Sequence, residues 1–322
     1  MKSAGIKIPE YKEFSDFNSG LEFVRSSNKR LVFKPSGTMP CKLTYCSKDN
    51  KELEVYMKFV EEKFGKNIDS FVLQEFIEGA VVSSEFICNG KNFLWPPNHT
   101  VEEKKANNDN LGPSTGCSGN IVWTCEEGSK IIDQGIALME KQCVKESYVG
   151  NMDLNAVVNE SGVYGLEWTP RFGYDATPTL LTLLKQDFGE FFSEIAKGND
   201  FEPEFETKDA GGLRVTIPPY PAEPQGKNSE LLSPNIGIPI LGYEDFEDQM
   251  YFYEIMMHED RGLCHSGGTG VISCIMGLGD TPESSLEESY KIAEKLVIPD
   301  KQYRTDLKKV LSKNIEEVLQ YV

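Results

Sequence analysis

Lys34 closes the strand-like segment Arg30-Leu31-Val32-Phe33-Lys34, and Lys42 follows eight residues later, across Pro35-Ser36-Gly37-Thr38-Met39-Pro40-Cys41. Two ammonium groups on either side of such a turn can reach one polyphosphate from two directions and neutralise it as point charges. Two solvated lysines flanking a turn are the plainer alternative. A second group is acidic. Asp153 opens one strand of a hairpin pattern and Glu167 ends the other, so the two carboxylates can face each other on neighbouring strands. Magnesium bound to nucleotide phosphates takes one or two carboxylates and keeps several waters. Thr169 and Arg171 follow, giving Glu-x-Thr-x-Arg. An arginine just beyond a metal ligand can clamp a phosphate or a carboxylate through two N–H groups. A cross-strand salt network at the surface is the competing reading.

The elements that must position these residues alternate between helix and strand. Periodicity predicts a helix over 12–28, the strand ending at Lys34, a helix carrying Leu53, Tyr56, Met57, Val60 and Phe64, and a strand from Phe71 to Ile77. Asn89-Gly90 separates two apolar strands, Val81 to Cys88 and Asn92 to Trp95, as a hairpin turn does. The stretch 97–120, rich in Asn, Gly, Pro and Ser, reads as a long loop of the kind that often carries function. A helix over 129–146, the hairpin 152–168 and a helix over 180–196 come next. The polar segment 198–212 is the best domain boundary, and beyond it lie strands 213–217 and 271–276 and helices 283–296 and 303–320.

The 322 residues carry 33 Lys and Arg against 51 Asp and Glu, a formal charge of −18. Such a surface repels a phosphate backbone, so nucleic acid is excluded as a partner. No apolar run approaches the roughly 20 residues of a membrane span. The eight cysteines never form C-x-x-C, and several sit inside apolar runs, which suits reduced thiols in a cytoplasmic protein. With three histidines, widely spaced, a zinc site has few candidate ligands, and no Ser-His-Asp pattern surrounds them.

Longer motifs point to a family. Gln74-Glu75-Phe76-Ile77-Glu78-Gly79, Gly112-Pro113-Ser114-Thr115-Gly116-Cys117 and Glu167-Trp168-Thr169-Pro170-Arg171-Phe172-Gly173 occur in that order behind the two lysines, and Gly267-Gly268, Gly279-Asp280-Thr281 and Tyr303-Arg304-x-Asp306 follow. Together they resemble the ATP-grasp superfamily and, within it, the glycinamide ribonucleotide synthetase (phosphoribosylamine-glycine ligase) family. The resemblance implies an α+β chain: an ATP-grasp fold of two subdomains clasping a nucleotide over 1–208, with the small subdomain about 28–88, then a smaller C-terminal α/β domain over 209–322. It implies an ATP-dependent carboxylate-amine ligase working through an acyl phosphate, with ATP and Mg2+ as cofactors and a small-molecule acid and amine as substrates. Lys34, Lys42, Gln74, Glu75 and Ile77 are then expected on ATP, and Asp153, Glu167 and Thr169 on the metal. Lys104, Lys105, Gly112, Pro113, Ser114, Thr115, Arg171 and Asp175 are expected on the substrates, with Lys42 and Arg171 catalytic.

The departures bear on substrate. Cys41 and Leu43 stand where the family has glycines around the second lysine, Thr169 replaces a metal-binding asparagine, and Ala80 or Val81 replaces an acid at the ribose. The family's R-F-G-D-P-E reads Arg171-Phe172-Gly173-Tyr174-Asp175-Ala176, which alters the acceptor side. The resemblance also implies a preceding nucleotide-fold-like domain of roughly a hundred residues, which a partner chain is expected to supply if the enzyme is split. A binding or scaffold protein that has lost catalysis is the other alternative. Lys104-Lys105 read equally as a solvated pair, His99 as an ordinary loop residue, and Gly267-Gly268 as a tight turn or a phosphate contact.

Overall fold

The computed structural model describes residues 1–36, 43–125, 127–222 and 235–322, so Lys42 lies outside the described residues. The N-terminal unit is built from β1 (Tyr11–Phe14), α1 (Phe17–Ser26), β2 (Leu31–Pro35), β3 (Tyr45–Cys46), α2 (Asn50–Phe64) and β4 (Phe71–Glu75). Its antiparallel sheet runs β1-β4-β2-β3, and Lys34 pairs with Val72. Phe14, Phe17, Phe33, Met57 and Phe71 dominate its core. Gly20 is required there, because a Cβ would lie 2.5 Å from the Phe71 ring. The helix expected over 12–28 starts later. Asp16 caps it by accepting from the Ser19 N–H at 2.8 Å, which frees Tyr11–Phe14 to pair with β4.

The larger sheet contains β5 (Ala80–Asn89), β6 (Phe93–Asn107), β7 (Leu111–Thr124), β8 (Val149–Asn159), β9 (Gly162–Thr169), β10 (Asp209–Thr216), β11 (Met250–Phe252) and β14 (Val271–Gly279). A separate ribbon joins β12 (Ile255–His258) to β13 (Gly262–His265). The eight strands run β11-β14-β10-β7-β6-β5-β8-β9, with every described neighbour antiparallel. Two expected boundaries move. β5 belongs to the large sheet, so the small unit is 11–75 and not 28–88. At 208/209 the sheet is continuous, since Ala210 to Leu213 pair with Val122 to Gly119.

Segment 97–120 is paired strand and not loop. β6 and β7 lie side by side, turning at Asn108-Asp109-Asn110, where Asp109 (φ 57°) and Asn110 (φ 55°) take the left-handed conformation those side chains tolerate. The segment's polarity reflects one polar sheet face, not absence of structure. The 129–146 helix breaks into α3 (Lys130–Gln134), a 3-10 turn Ile136–Met139 and α4 (Glu140–Lys145). At the break, a Cβ on Gly135 would lie 2.5 Å from the Ile131 carbonyl. The 180–196 helix is likewise two, α5 (Ala176–Leu183) and α6 (Phe188–Ala196), the second restarted by the Asp187 cap. The chain ends in α7 (Pro282–Lys295) and α8 (Leu307–Leu319). No helix among the described residues is long and apolar enough to cross a membrane.

Strand register sorts side chains onto two faces. Phe86, Val101, Ile121, Leu154, Leu213 and Ile275 share one, packed with α7 and α8 in the main core. The other face carries polar and charged groups along its middle.

Candidate nucleotide and acceptor site

Opposed pairs on that second face are Thr169 with Asp153, Glu167 with Asn155, Asp153 with Glu85, Asn155 with Ser83, Glu85 with Asn98, Glu102 with Asn120, and Asn120 with Gly212. The register thus brings the expected metal set, Asp153, Glu167 and Thr169, onto one patch. The Thr169 hydroxyl donates to Asp153 Oδ2, and Asn155 Nδ2 donates to the same oxygen at 3.0 Å. Asp153 Oδ1 is buried with no hydrogen-bond partner. Behind it stands Glu85, 3% exposed, which accepts from Asn151 Nδ2 at 2.7 Å and from Asn98 and Thr100 at 3.4 Å each. Burial first, and the neighbouring Glu85 carboxylate second, push the Asp153 carboxyl up to about 7. Burial also raises Glu85.

Cations border this acidic patch. Lys34, half-buried on the small sheet, is pulled below the usual lysine range by burial, while Glu167 across from it works in the opposite direction. Lys104 pairs with Glu102 at 3.0 Å, and Lys105 Nζ donates to the Gly112 carbonyl at 3.3 Å. Gly112, Pro113 and Ser114 are exposed at the start of β7, and the Thr115 hydroxyl donates to the Lys104 carbonyl at 2.9 Å. Arg171 is exposed. Its backbone N–H donates to the Thr169 carbonyl at 2.8 Å and its Nη1 to the Phe172 carbonyl at 3.2 Å, which leaves most guanidinium donors open. Gln74 is buried in β4, Ile77 lies half-buried just beyond it, and Glu75 takes an ion pair from Lys29 at 3.1 Å.

Asp175 sits apart from an open acceptor role. Its carboxylate is ion-paired with the buried Arg214 guanidinium and accepts from the Tyr253 hydroxyl at 2.9 Å. A cation of the protein's own, the Arg214 guanidinium, already occupies it. His99 is no loop residue. It lies fully buried on β6, on the apolar face, between the Ser84 hydroxyl at 2.8 Å and the Ser129 hydroxyl at 3.3 Å, and burial lowers it to about 4. The turn at Gly267-Gly268 closes on the chain's own carboxylate. Thr269, Gly270 and Val271 N–H groups donate to Glu254 at 2.9, 2.8 and 3.1 Å.

Glu85, Glu102, Asn151 and Arg214 were not singled out in the sequence. Glu85 had a signal: a carboxylate inside the apolar run from Val81 to Cys88 is costly to bury without purpose.

The fold implies ATP and magnesium, and the donor set suits them. Every group on the patch offers oxygen, the preference of a hard dication, and Asp153 keeps one oxygen uncommitted. Among the described residues no three His, Cys, Asp or Glu side chains close a cage. A site that shares its ion with substrate phosphates needs none.

A family model described as phosphoribosylglycinamide synthetase, ATP-grasp (A) domain, matches residues 1–177. The phosphoribosylamine--glycine ligase of Clostridium acetobutylicum is 25% identical over 319 residues, covering 96% of this chain and 73% of the relative. The Thermotoga maritima ligase of the same name is 25% identical over 95% of this chain and 74% of its own. A Thermotoga maritima phosphoribosylamine--glycine ligase crystal structure superposes with a TM-score of 0.75 at 23% identity, covering 95% of this chain and 76% of that one. The biotin carboxylase domain of Hydrogenobacter thermophilus 2-oxoglutarate carboxylase, solved with MgADP and bicarbonate, shares the fold at a TM-score of 0.61 and 14% identity, over 100% of this chain and 72% of its own. With the family model covering more than half of its length and the charged sheet face laid out as above, this chain belongs to the phosphoribosylglycinamide synthetase ATP-grasp family, whose members are ATP-dependent ligases that form C–N bonds.

Proposed function

We propose that the protein joins a small carboxylic acid to an amine through an acyl phosphate, with an acceptor that differs from phosphoribosylamine. The observation that carries the first part is the meeting of two sheets: the desolvated Lys34 ammonium of the small unit stands against the carboxylate patch of β8 and β9. A cation and oxygen donors on opposite sides of one gap suit a polyphosphate with its metal.

In this reading Lys34, with Lys42, holds the negative phosphates, while Asp153, Glu167 and Thr169 offer oxygens to magnesium. When bound, the metal neutralises charge on the terminal phosphates. Arg171 orients the acid through its free guanidinium donors. The acid's oxygen bonds to the terminal phosphorus as ADP leaves, and the amine nitrogen then displaces phosphate from the acyl carbon. Positioning and charge neutralisation suffice for such a transfer, and no protein nucleophile is needed. A cavity of about 720 Å³ between the β6–β7 turn and 301–305, lined by Asn107, Ser118, Arg214, Tyr220, Lys301 and Tyr303, has the size of a small-molecule pocket.

The altered acceptor rests on Tyr174-Asp175-Ala176, where the new carboxylate is consumed by Arg214. ADP release with phosphoribosylamine and glycine, run beside a panel of other carboxylates and amines, tests it. Turnover of that pair on the order of 1 per second or faster would make the acceptor conventional. A second reading, nucleotide binding without ligation, is favoured by Thr169 standing where the family has a metal-binding asparagine. It predicts a thermal shift with Mg-ATP and no ADP release with any pair.

A further inference from the structure

Three tyrosines converge where β11 leaves the large sheet. Tyr253 stacks on Tyr174 with centroids 5.0 Å apart and 23° between the planes, and Tyr251 meets Tyr253 edge-on at 5.2 Å. Two of these rings are largely open, Tyr174 at 67% and Tyr251 at 51% exposure. Isolated exposed tyrosines are ordinary, whereas a contiguous aromatic patch marks a contact surface.

The patch is held from beneath. The Tyr253 hydroxyl donates to Asp175, and Asp175 and Arg214 form an ion pair whose side chains are 1% and 6% exposed. The Arg214 guanidinium lies between two rings, 5.9 Å from the Tyr174 centroid and 5.7 Å from that of Tyr220, and donates to the Tyr220 hydroxyl at 2.7 Å. Tyr174 is therefore held against Tyr253 and Arg214 while most of its surface stays open. The location is also apt. Tyr174 is three residues past Arg171, Tyr220 and Arg214 line the cavity described above, and Arg214 Nη2 would lie 3.9 Å from a Cβ on Gly116 of the Gly112–Cys117 motif.

Resting on the ligase reading, we propose that Tyr174, Tyr251 and Tyr253 form a subsite for an aromatic ring carried by the amine acceptor, with the Asp175–Arg214 pair as its fixed base. The chemistry of the wall selects this class. Arg214 is committed to Asp175 and Tyr220, so the tyrosines present no open cation to a sugar phosphate. Their rings offer offset and edge contacts instead, which favour a planar partner over a saturated one of equal size.

Calorimetric titration of the full chain with 2-phenylethylamine and with 2-cyclohexylethylamine, with and without Mg-ATP, compares two ammonium probes that differ in ring planarity. The aromatic amine should bind about three- to tenfold more tightly. Tyr174→Leu and Tyr251→Leu should bring that ratio to about one with the melting curve retained, and Tyr11→Leu, an exposed tyrosine of the small sheet, should leave it unchanged. Equal affinities in the wild-type protein, no binding of either amine under both conditions, or a ratio that survives Tyr174→Leu would each overturn the proposal. Failure of the ligase reading shows separately, as the absence of ADP release with any carboxylate and amine pair.

Discussion

Two buried pairs share one face of the large sheet and obey opposite rules. Asp175 and Arg214 bring unlike charges together, and each satisfies the other with help from Tyr253 and Tyr220. Glu85 and Asp153, opposed on β5 and β8, bring like charges together, and among the described residues amides and hydroxyls are their hydrogen-bond partners. Burial raises the carboxyls of both pairs, but a guanidinium offsets the rise at Asp175 where a second carboxylate adds to it at Asp153. The matched pair balances its charges and serves as architecture, although the Arg214 Nε is left without a hydrogen-bond partner. The mismatched pair is unfavourable in isolation, and such a patch is what a cation-bearing ligand relieves.

The largest effect should come from breaking the matched pair. Arg214→Leu leaves Asp175 buried without its counter-ion and should cost about 3–5 kcal/mol in urea denaturation, whereas adding Asp175→Leu should recover most of the loss. Full stability in the single variant would mean that the pair contributes little. Next comes the phosphate side of the mismatched site. Lys34→Met removes a charge-assisted contact and should weaken Mg-ATP binding by about 2 kcal/mol, roughly thirtyfold, in a titration. Unchanged binding would place the nucleotide elsewhere.

Glu85→Gln should act in the stabilising direction. With a folded Asp153 value of about 7 against an ordinary 3.8, the folded state keeps a proton that the unfolded state releases. Stability therefore falls as pH rises from about 4 to about 7, and the penalty is complete above that. Removing the Glu85 charge should add about 1 kcal/mol at pH 8 and flatten the slope without abolishing it, because burial is the larger cause. Urea midpoints at pH 5 and pH 8 decide this, and parallel profiles for the two proteins would show that the carboxylates do not interact. The smallest effect belongs to the exposed Lys29, which bridges Glu10 and Glu75. Lys29→Met should leave the melting midpoint unchanged within error, as screened surface pairs do.

Much of the site was legible because it is local. Lys34 at a strand end and the hairpin that carries Asp153, Glu167 and Thr169 are readable from the sequence, whereas the bulge at Asn155/Ala156 sets the register that brings Glu167 and Thr169 onto the face of Asp153. The motifs in their order carried the family. Helices α2, α7 and α8 were readable from spacing, and the cap at Thr281 with Pro282 behind it starts α7 where such residues start helices.

What the chain alone could not disclose is pairing between distant segments. Residues 97–120 look like loop because their polar side chains face a site, and it is their pairing with each other and with β5 and β10 on either side that makes them strands. Asp175 reads as a free carboxylate until β10, far along the chain, delivers Arg214 beneath it. Spacing and propensity are properties of neighbours in sequence, so the strand end at Lys34, the hairpin itself and the family were legible there. Burial and charge partnership are set by residues that meet only on folding, so the tertiary structure alone decided which carboxylate is neutralised by a guanidinium and which stands against a second carboxylate.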